Sequence, residues 1–459
     1  MFSSTEKESI YKKIFEQRPL LKTLMEKYGK ETLKSYANNN LKGLTPTHTT
    51  QSQQLIDVIQ DISRERLGED TAQEIKSQLE NLFFASTADH HGIINSNLAA
   101  SSNILLNEML LSQQNDHVKY NMVFSCASVS LNNEDYPRGI IFHSLDTNDY
   151  IEEKLSILPS NSHGSTVYNF RAYKAEEIVK IKSAFEKTTK PKLKTEQTED
   201  INNFLNNILL KKDILESKNF CEQITKINFI LWPLLFKNNP TFKPLVYIEQ
   251  EEITNRLLTK YLLKNENIIK QLIFNNEYAE LLNKLSAAIE KFLRQGSLAT
   301  YLFWYLTPDK NQRKKLLKEG EKLVTEDGLY QIAFTPEAVA DAINKGELMP
   351  NLLLVYSVLH LYAKLGCAGG FNQIHYLAEM EKIFQEYVGE PMPTADTIPY
   401  FYGVSVVNFK DKSKEVAPYT LDILLYPEQI SNEIYHNLNN KTFQEIFDEN
   451  IKIIHDIIS

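Results

Sequence analysis

The chain has 459 residues, 42% of them hydrophobic and 10% aromatic, a composition that excludes disordered and fibrous classes and suffices to bury a large core in two or three subdomains. Its 50 Lys+Arg against 59 Asp+Glu leave a net charge of -9, which argues against a nucleic-acid groove as the main surface. Three cysteines, Cys126, Cys221 and Cys367, lie far apart without CxxC spacing, so neither a disulfide framework nor a zinc knuckle is expected and a reducing cytoplasm is the natural compartment.

The N-terminal MFSSTEKESIYKKIFEQ is charged where a signal peptide needs an apolar core, so secretion is not expected. Apolar residues at near-helical spacing from Glu8 to Tyr36 predict a helix broken at Pro19. Leu44 to Thr50 is rich in turn formers, and Gln51 to Leu79 again has helical periodicity. Leu82 to Ser86 predicts a short buried strand, Asn97 to Gln113 a helix, and Asn121 to Ser130 and Gly139 to Ser144 two more strands, together a small α/β unit.

Lys187 to Asp200 (KTTKPKLKTEQTED) has the composition of an exposed linker, which divides the chain into 1-186, a 187-200 linker and a mainly helical 201-459. In the last region Pro244 to Ile248 is strand-like, and Leu298 to Leu306 is aromatic and β-prone before a hairpin turn at Pro308 to Asn311. Thr335-Pro336 starts a helix that Gly346 ends. Leu352 to Tyr362 is too short for a membrane span and reads as a buried helix opened by Pro350 and stopped by Gly366. Tyr400 to Phe409 and Leu421 to Tyr426 read as late strands and Phe443 to Ile458 as a terminal helix. The class is α+β, predominantly helical with a small mixed sheet.

The chemistry-bearing stretch is LFFASTADHHGIINSN, Leu82 to Asn97, where an apolar strand runs into Asp89-His90-His91-Gly92. A carboxylate beside neutral imidazoles at a strand-to-loop junction is a common divalent-metal or acid/base set. Alternation along an extended chain lets Asp89 and His91 converge on a metal while His90 faces the other way. Asn95 and Asn97 continue the spacing and are candidate substrate ligands, or caps of the following helix.

Arg138, held between Pro137 and Gly139, can present its planar fork to a carboxylate or phosphate. The stretch LGCAGGFNQIHYLAEM, from Leu365, clusters Gly369 and Gly370 before Asn372 and Gln373, and this glycine-rich turn is expected to share a pocket with the Asp89 loop and to help bind substrate. His375 and Glu379 lie at i,i+4 as a further possible ligand pair, while the glycines lack the spacing of a nucleotide-binding motif. His143, in an apolar strand, reads as a core histidine, and Glu134 and Asp135 as loop charges.

Three short motifs occur in one order: Asp89-His90-His91-Gly92, Tyr136-Pro137-Arg138-Gly139 and Asn161-Ser162-His163-Gly164. Over residues 82-165 this order resembles the creatininase family of metal-dependent amidohydrolases, with Glu-x-His-Gly, Phe-Pro-Gly-Thr and Asn-Gly-His-Gly-Gly-Asn segments. The resemblance implies that Asp89 and His91 are metal ligands and that His163 belongs to the catalytic set; two further ligand positions of the family fall on Ile94 and Ala100. The three letters shared with DHH phosphoesterases stand without the Asp-x-Asp strand that family carries upstream.

The expectation is a metal-dependent enzyme acting on a small polar or anionic molecule, a hydrolase of a C-N bond. Asp89 and His91 would hold zinc, manganese or iron, with His90 or His163 shuttling a proton. A metal-dependent oxygenase or synthase of small-molecule biosynthesis is the alternative chemistry. A non-catalytic ligand-binding or interaction protein is the alternative class. The expected partner is a small-molecule substrate, with no nucleic acid and no membrane.

Overall fold

The structure, a computed structural model, describes residues 4–39, 49–112, 116–146, 149–237, 241–293, 298–389, 400–410 and 416–458. Helix accounts for 57% and strand for about 15%, which places the chain in the α+β class with helix predominant. The N-terminal helices Ser4–Gln17 and Pro19–Tyr28 are divided at Pro19, which opens the second at its first turn, where a missing N–H costs nothing. Thr49 caps Thr50–Leu67 by accepting from Ser52 N, and Gly68 separates that helix from Glu69–Asn81. Most of the turn expected at Leu44 to Thr50 lies outside the described residues.

The strands, in chain order, are β1 Phe84–Ser86, β2 Asn121–Ser125, β3 Gly139–Asp146, β4 Asp149–Ser156, β5 Leu245–Glu249, β6 Phe303–Leu306, β7 Arg313–Glu319, β8 Lys322–Thr325, β9 Gln331–Ala333, β10 Leu348–Pro350, β11 Gly366–Gly370 and β12 Tyr400–Tyr402. They form three sheets instead of one small mixed sheet. A parallel sheet has the order β12-β11-β1-β2-β5, an antiparallel sheet has the order β10-β6-β7-β8-β9, and β3 pairs with β4 as a hairpin. In the parallel sheet β1, β2 and β5 are buried throughout, as expected when helices cover both faces.

This sheet crosses the division expected from the sequence. β1 and β2 come from the first 186 residues, whereas β5, β11 and β12 come from beyond 200. Nor is 187-200 a linker: Phe185–Thr189, Lys190–Lys192 and Thr195–Asn203 wind it into helical turns that bury Thr189 and Gln197, the latter donating to Leu425 O at 3.1 Å. Its polar side chains serve the solvent face of those turns while a few residues pack inward.

Two further expectations change. The glycines from Gly366 are not a cap and turn but β11 itself, fixed in register with β1 at Phe84↔Gly366, Ala85↔Cys367 and Ser86↔Ala368. The helix before it ends at Ala363, with Lys364 in the left-handed region. Leu421 to Tyr426 is not a strand: Asp422–Leu425 is a helical turn whose Asp422 accepts from Tyr419 N, a side-chain cap that overrides the β-prone composition. Among the described residues no helix is long and apolar enough to cross a membrane.

Candidate active site at the carboxyl edge of the parallel sheet

Chain order places a topological switch in the parallel sheet. From β1 the chain moves to β2 and on to β5, whereas from β11 it moves the other way to β12. The loops after β1 and β11 therefore diverge, and ligand sites of open parallel sheets sit in the crevice at such points. The loop after β1 carries Asp89, His90 and His91, and the loop after β11 carries Asn372 and Gln373.

The loop after β1 is held rigidly. Cys126 N donates to Asp89 O at 2.7 Å and His91 N to Cys126 O at 2.8 Å, extending the pairing past β2. Asn95 Nδ2 bonds Asp135 O, Tyr136 O and Gly139 O at 3.0–3.3 Å. A Cβ on Gly92 would lie 2.9 Å from Pro137 Cβ, so glycine is what allows the two loops to touch. Tyr136 sits at φ 52, a conformation that costs a bulky residue energy and that Asn95 and the Tyr136–Ser156 hydroxyl bond maintain. The Asp-His-His-Gly and Tyr-Pro-Arg-Gly motifs thus pack against each other, 47 positions apart in sequence.

Their contact produces a histidine–carboxylate pair, His90 Nδ1 to Asp135 Oδ2 at 2.5 Å, with both side chains partly exposed. Burial alone would lower the His90 pKa, but the hydrogen bond and charge of Asp135, aided by Asp89, hold it above the usual 6.5. A carboxylate on Nδ1 orients the ring, with Asn133 as a second hydrogen-bond partner, and an imidazole held in this way can serve as a general acid or base.

Asp89 is fully buried and faces away from this pair. It accepts from Asn103 Nδ2 at 2.8 Å, Tyr247 Oη at 3.1 Å and Ser102 Oγ at 3.3 Å. Burial, only partly offset by these bonds, pushes its pKa up to about 6. His91 points instead toward β2, β5 and the Phe220–Leu235 helix, with Nδ1 2.7 Å from Ser125 Oγ and Nε2 3.2 Å from Cys221 O. Burial lowers its pKa to about 4, so the ring is neutral and its 3.8 Å approach to Glu249 is no ion pair.

The expected Asp89/His91 metal pair is therefore replaced by another set. The chain stays extended through His90, which bridges Cys126, and bends from His91 on; Asp89 is taken by Asn103 and Tyr247 while His91 packs against Ser125 and Cys221. His91, Cys221 and Glu249 form a buried group, with donor atoms within 4.8 Å of one another, that can hold a metal ion. Arg66 already binds the Glu249 carboxylate through two bonds of 2.6 Å and also donates to Thr225. Against the effect of burial, this guanidinium brings Glu249 down to about 2.

Other candidates are spent on structure. Asn97 Nδ2 bonds Val407 O and Pro418 O, pinning the backbone at these two residues to the helix Asn97–Ser112. Asn95 is the clamp described above. Asn372 accepts from Arg18 Nε at 2.8 Å, and His375 accepts from Leu20 N, so both dock the N-terminal helices. Glu379 pairs with Lys291 and does not join His375 as a ligand. His163 is exposed beyond a single turn, Ser160–Ser162, whose nearest tie to the cluster is Gly164 N to Asn132.

Gly369 and Gly370 lie in β11, next to β1, and the Gln373 side chain fills the space a Cβ on Gly369 would need before bonding Thr87 Oγ1. The glycine stretch thus reaches the same sheet edge as the Asp89 loop, by strand pairing and not by forming an anion-binding turn. Arg138 is half-buried, its guanidinium 5.0 Å above the Tyr136 ring. Half-exposed Cys126 completes the rim; burial and the charge of Glu251 push its thiol up to about 12, which makes it a poor nucleophile. The larger clefts lie elsewhere, one lined by Leu282, Tyr301, Leu316 and Leu353 and another by Lys194, Gln197, Leu425 and Tyr426.

Asp135, Cys221, Glu249 and Arg66 are the members that sequence reasoning missed. The only signal was weak: Asp135 stands one residue before the motif Tyr136 opens, and Glu249 ends a buried strand. A scan against protein-family models finds no matching family, and no curated protein matches the chain.

Proposed function

We propose that the protein is a cytoplasmic enzyme that acts on a small polar or anionic molecule at the carboxyl edge of the parallel sheet, with His90 as its general acid or base. The observation that carries this reading is the 2.5 Å His90–Asp135 pair, partly exposed beside the sheet's topological switch. Asp135 orients the imidazole, and His90 takes a proton from water or from the substrate. Arg138, stacked on Tyr136 two residues further along the same rigid loop, is positioned to bind a substrate carboxylate or phosphate.

Hydrolysis of a C-N bond is the reaction class that this set and the creatininase-like order of motifs support together. Water activated by an oriented histidine is the nucleophile such a reaction needs. The candidate metal ligands begin one residue away, at His91, but lie behind the pair in the core, so the proton transfer belongs to His90 and Asp135.

A turnover screen over small amides, ureas, amidines and cyclic imides tests the reading. His90→Gln should cost about 10²–10⁴-fold in rate with the fold intact, the range for loss of a general acid–base group. An Arg138→Lys variant should raise KM for anionic substrates about tenfold or more, since an ammonium cannot copy the bidentate fork. Equal turnover by wild type and His90→Gln on every substrate hydrolysed overturns the assignment.

A further inference from the structure

We propose that His91, Cys221 and Glu249 form a closed, structural site for one thiophilic divalent cation, zinc by ligand type, set in the core directly behind the His90–Asp135 pair. Three elements converge there: the loop after β1, the first turn of the Phe220–Leu235 helix and the last residue of β5. All three side chains are buried, and imidazole, thiolate and carboxylate are the zinc donor types. His91 Nε2 and Glu249 Oε2 stand 3.8 Å apart. Donors on one tetrahedral zinc, with bonds of about 2.0–2.3 Å, lie roughly 3.3–3.8 Å from each other, a spacing that His91 and Glu249 already have and that the three donors, all within 4.8 Å, approach.

The surroundings are compatible with a bound ion. Glu249 Oε2 accepts one bond from Arg66 and keeps a second lone pair, so Arg66 can stay in place as the outer partner that orients a ligating carboxylate. His91 must carry its ring proton on Nδ1 to offer Nε2. Ser125 allows this: its Oγ, 2.7 Å from Nδ1, accepts that proton's bond while its own hydrogen points to Ile248 O at 3.5 Å. Loading then transfers one proton from the Cys221 thiol to solvent and leaves Nδ1 as the protonated ring nitrogen. The Cys221 carbonyl, 3.2 Å from Nε2, is the nearest further oxygen for a fourth position. Thiolate, carboxylate, Arg66 and the ion together carry one positive charge.

His90 takes no part in this site, so the two proposals fail separately. Full-length protein stripped with chelator is titrated with Co²⁺. One equivalent should produce a thiolate-to-cobalt charge-transfer band and tetrahedral d–d absorption that Zn²⁺ bleaches. Cys221→Ser should abolish the charge-transfer band, His91→Asn should weaken cobalt binding at least tenfold, and His90→Gln should leave the spectrum unchanged. Absence of the band in wild type, or its survival in Cys221→Ser, overturns the site. If Cys221→Ser does not fold, X-ray absorption of the zinc-loaded wild type decides: a shell with one sulfur and one imidazole supports it, and a sulfur-free shell overturns it.

Discussion

His90 and His91 are consecutive in the chain and chemically identical, yet the fold gives them opposite electrostatics. His90, at the partly exposed rim, is paired with one carboxylate and has its pKa raised; His91, one residue on, is sealed between three elements and has its pKa lowered to about 4. The nearby Glu249 does not reverse this, because Arg66 has already neutralised it. A carboxylate raises a neighbouring imidazole's pKa only when its charge is not spent elsewhere. The rim pair thus has the electrostatics that the proposed proton exchange needs, and the core group does not.

Removing the cation should break the core half of this contrast most severely. In chelator-stripped protein, Arg66→Met leaves Glu249 buried without its partner and should cost about 3–5 kcal/mol in denaturant unfolding, whereas the double variant Arg66→Met, Glu249→Met should cost much less. Equal losses in the two would mean that Arg66 acts through packing alone.

Replacing Asp89 sharpens the comparison, since it is a third buried group of the same loop. Its folded pKa, about 6 against 3.8 for an ordinary aspartate, is raised, so the protonated form stabilises the fold at low pH and that contribution is lost as pH rises through 6. Asp89→Asn stays neutral at every pH. Relative to wild type it should gain about 1–3 kcal/mol between pH 4 and pH 8, the scale of a two-unit shift, read from denaturation midpoints across that range. A pH-independent difference would refute the burial argument.

The smallest effect is local to the rim. Asp135→Asn should bring the His90 pKa down while leaving His91 neutral, as followed by NMR titration of the two ring signals. Because the His90 pKa is raised in the fold, its stabilising contribution is complete below 6.5 and disappears as pH rises through the elevated value, and Asp135→Asn should remove that pH dependence. An unmoved His90 titration would sever the pair.

Much of this was legible from local pattern. The broken helix at Pro19, the strand running into Asp89-His90-His91-Gly92, the strand at Pro244 to Ile248 and the Thr335-Pro336 helix start all follow from spacing and capping that span only a few residues. So did the choice of Asp89, His90, His91 and Arg138 as unusual residues. Their surroundings depend on contacts separated widely in sequence: Asp135 to His90, Glu249 and Cys221 to His91, Asn103 and Tyr247 to Asp89. Sequence periodicity says which way a side chain points from a regular element, and it falls silent where the chain bends, as it does from His91 on. Gly366 to Gly370 shows the same limit: glycine-rich composition reads as a turn, yet pairing with β1 makes it a strand. Local sequence determined many of the elements and their chemistry-bearing residues, while the pairing of β2 with β5, 124 residues on, and the packing of the Gly92 loop on Pro137 decided which charges meet, because charge and burial act through distance in space and not along the chain.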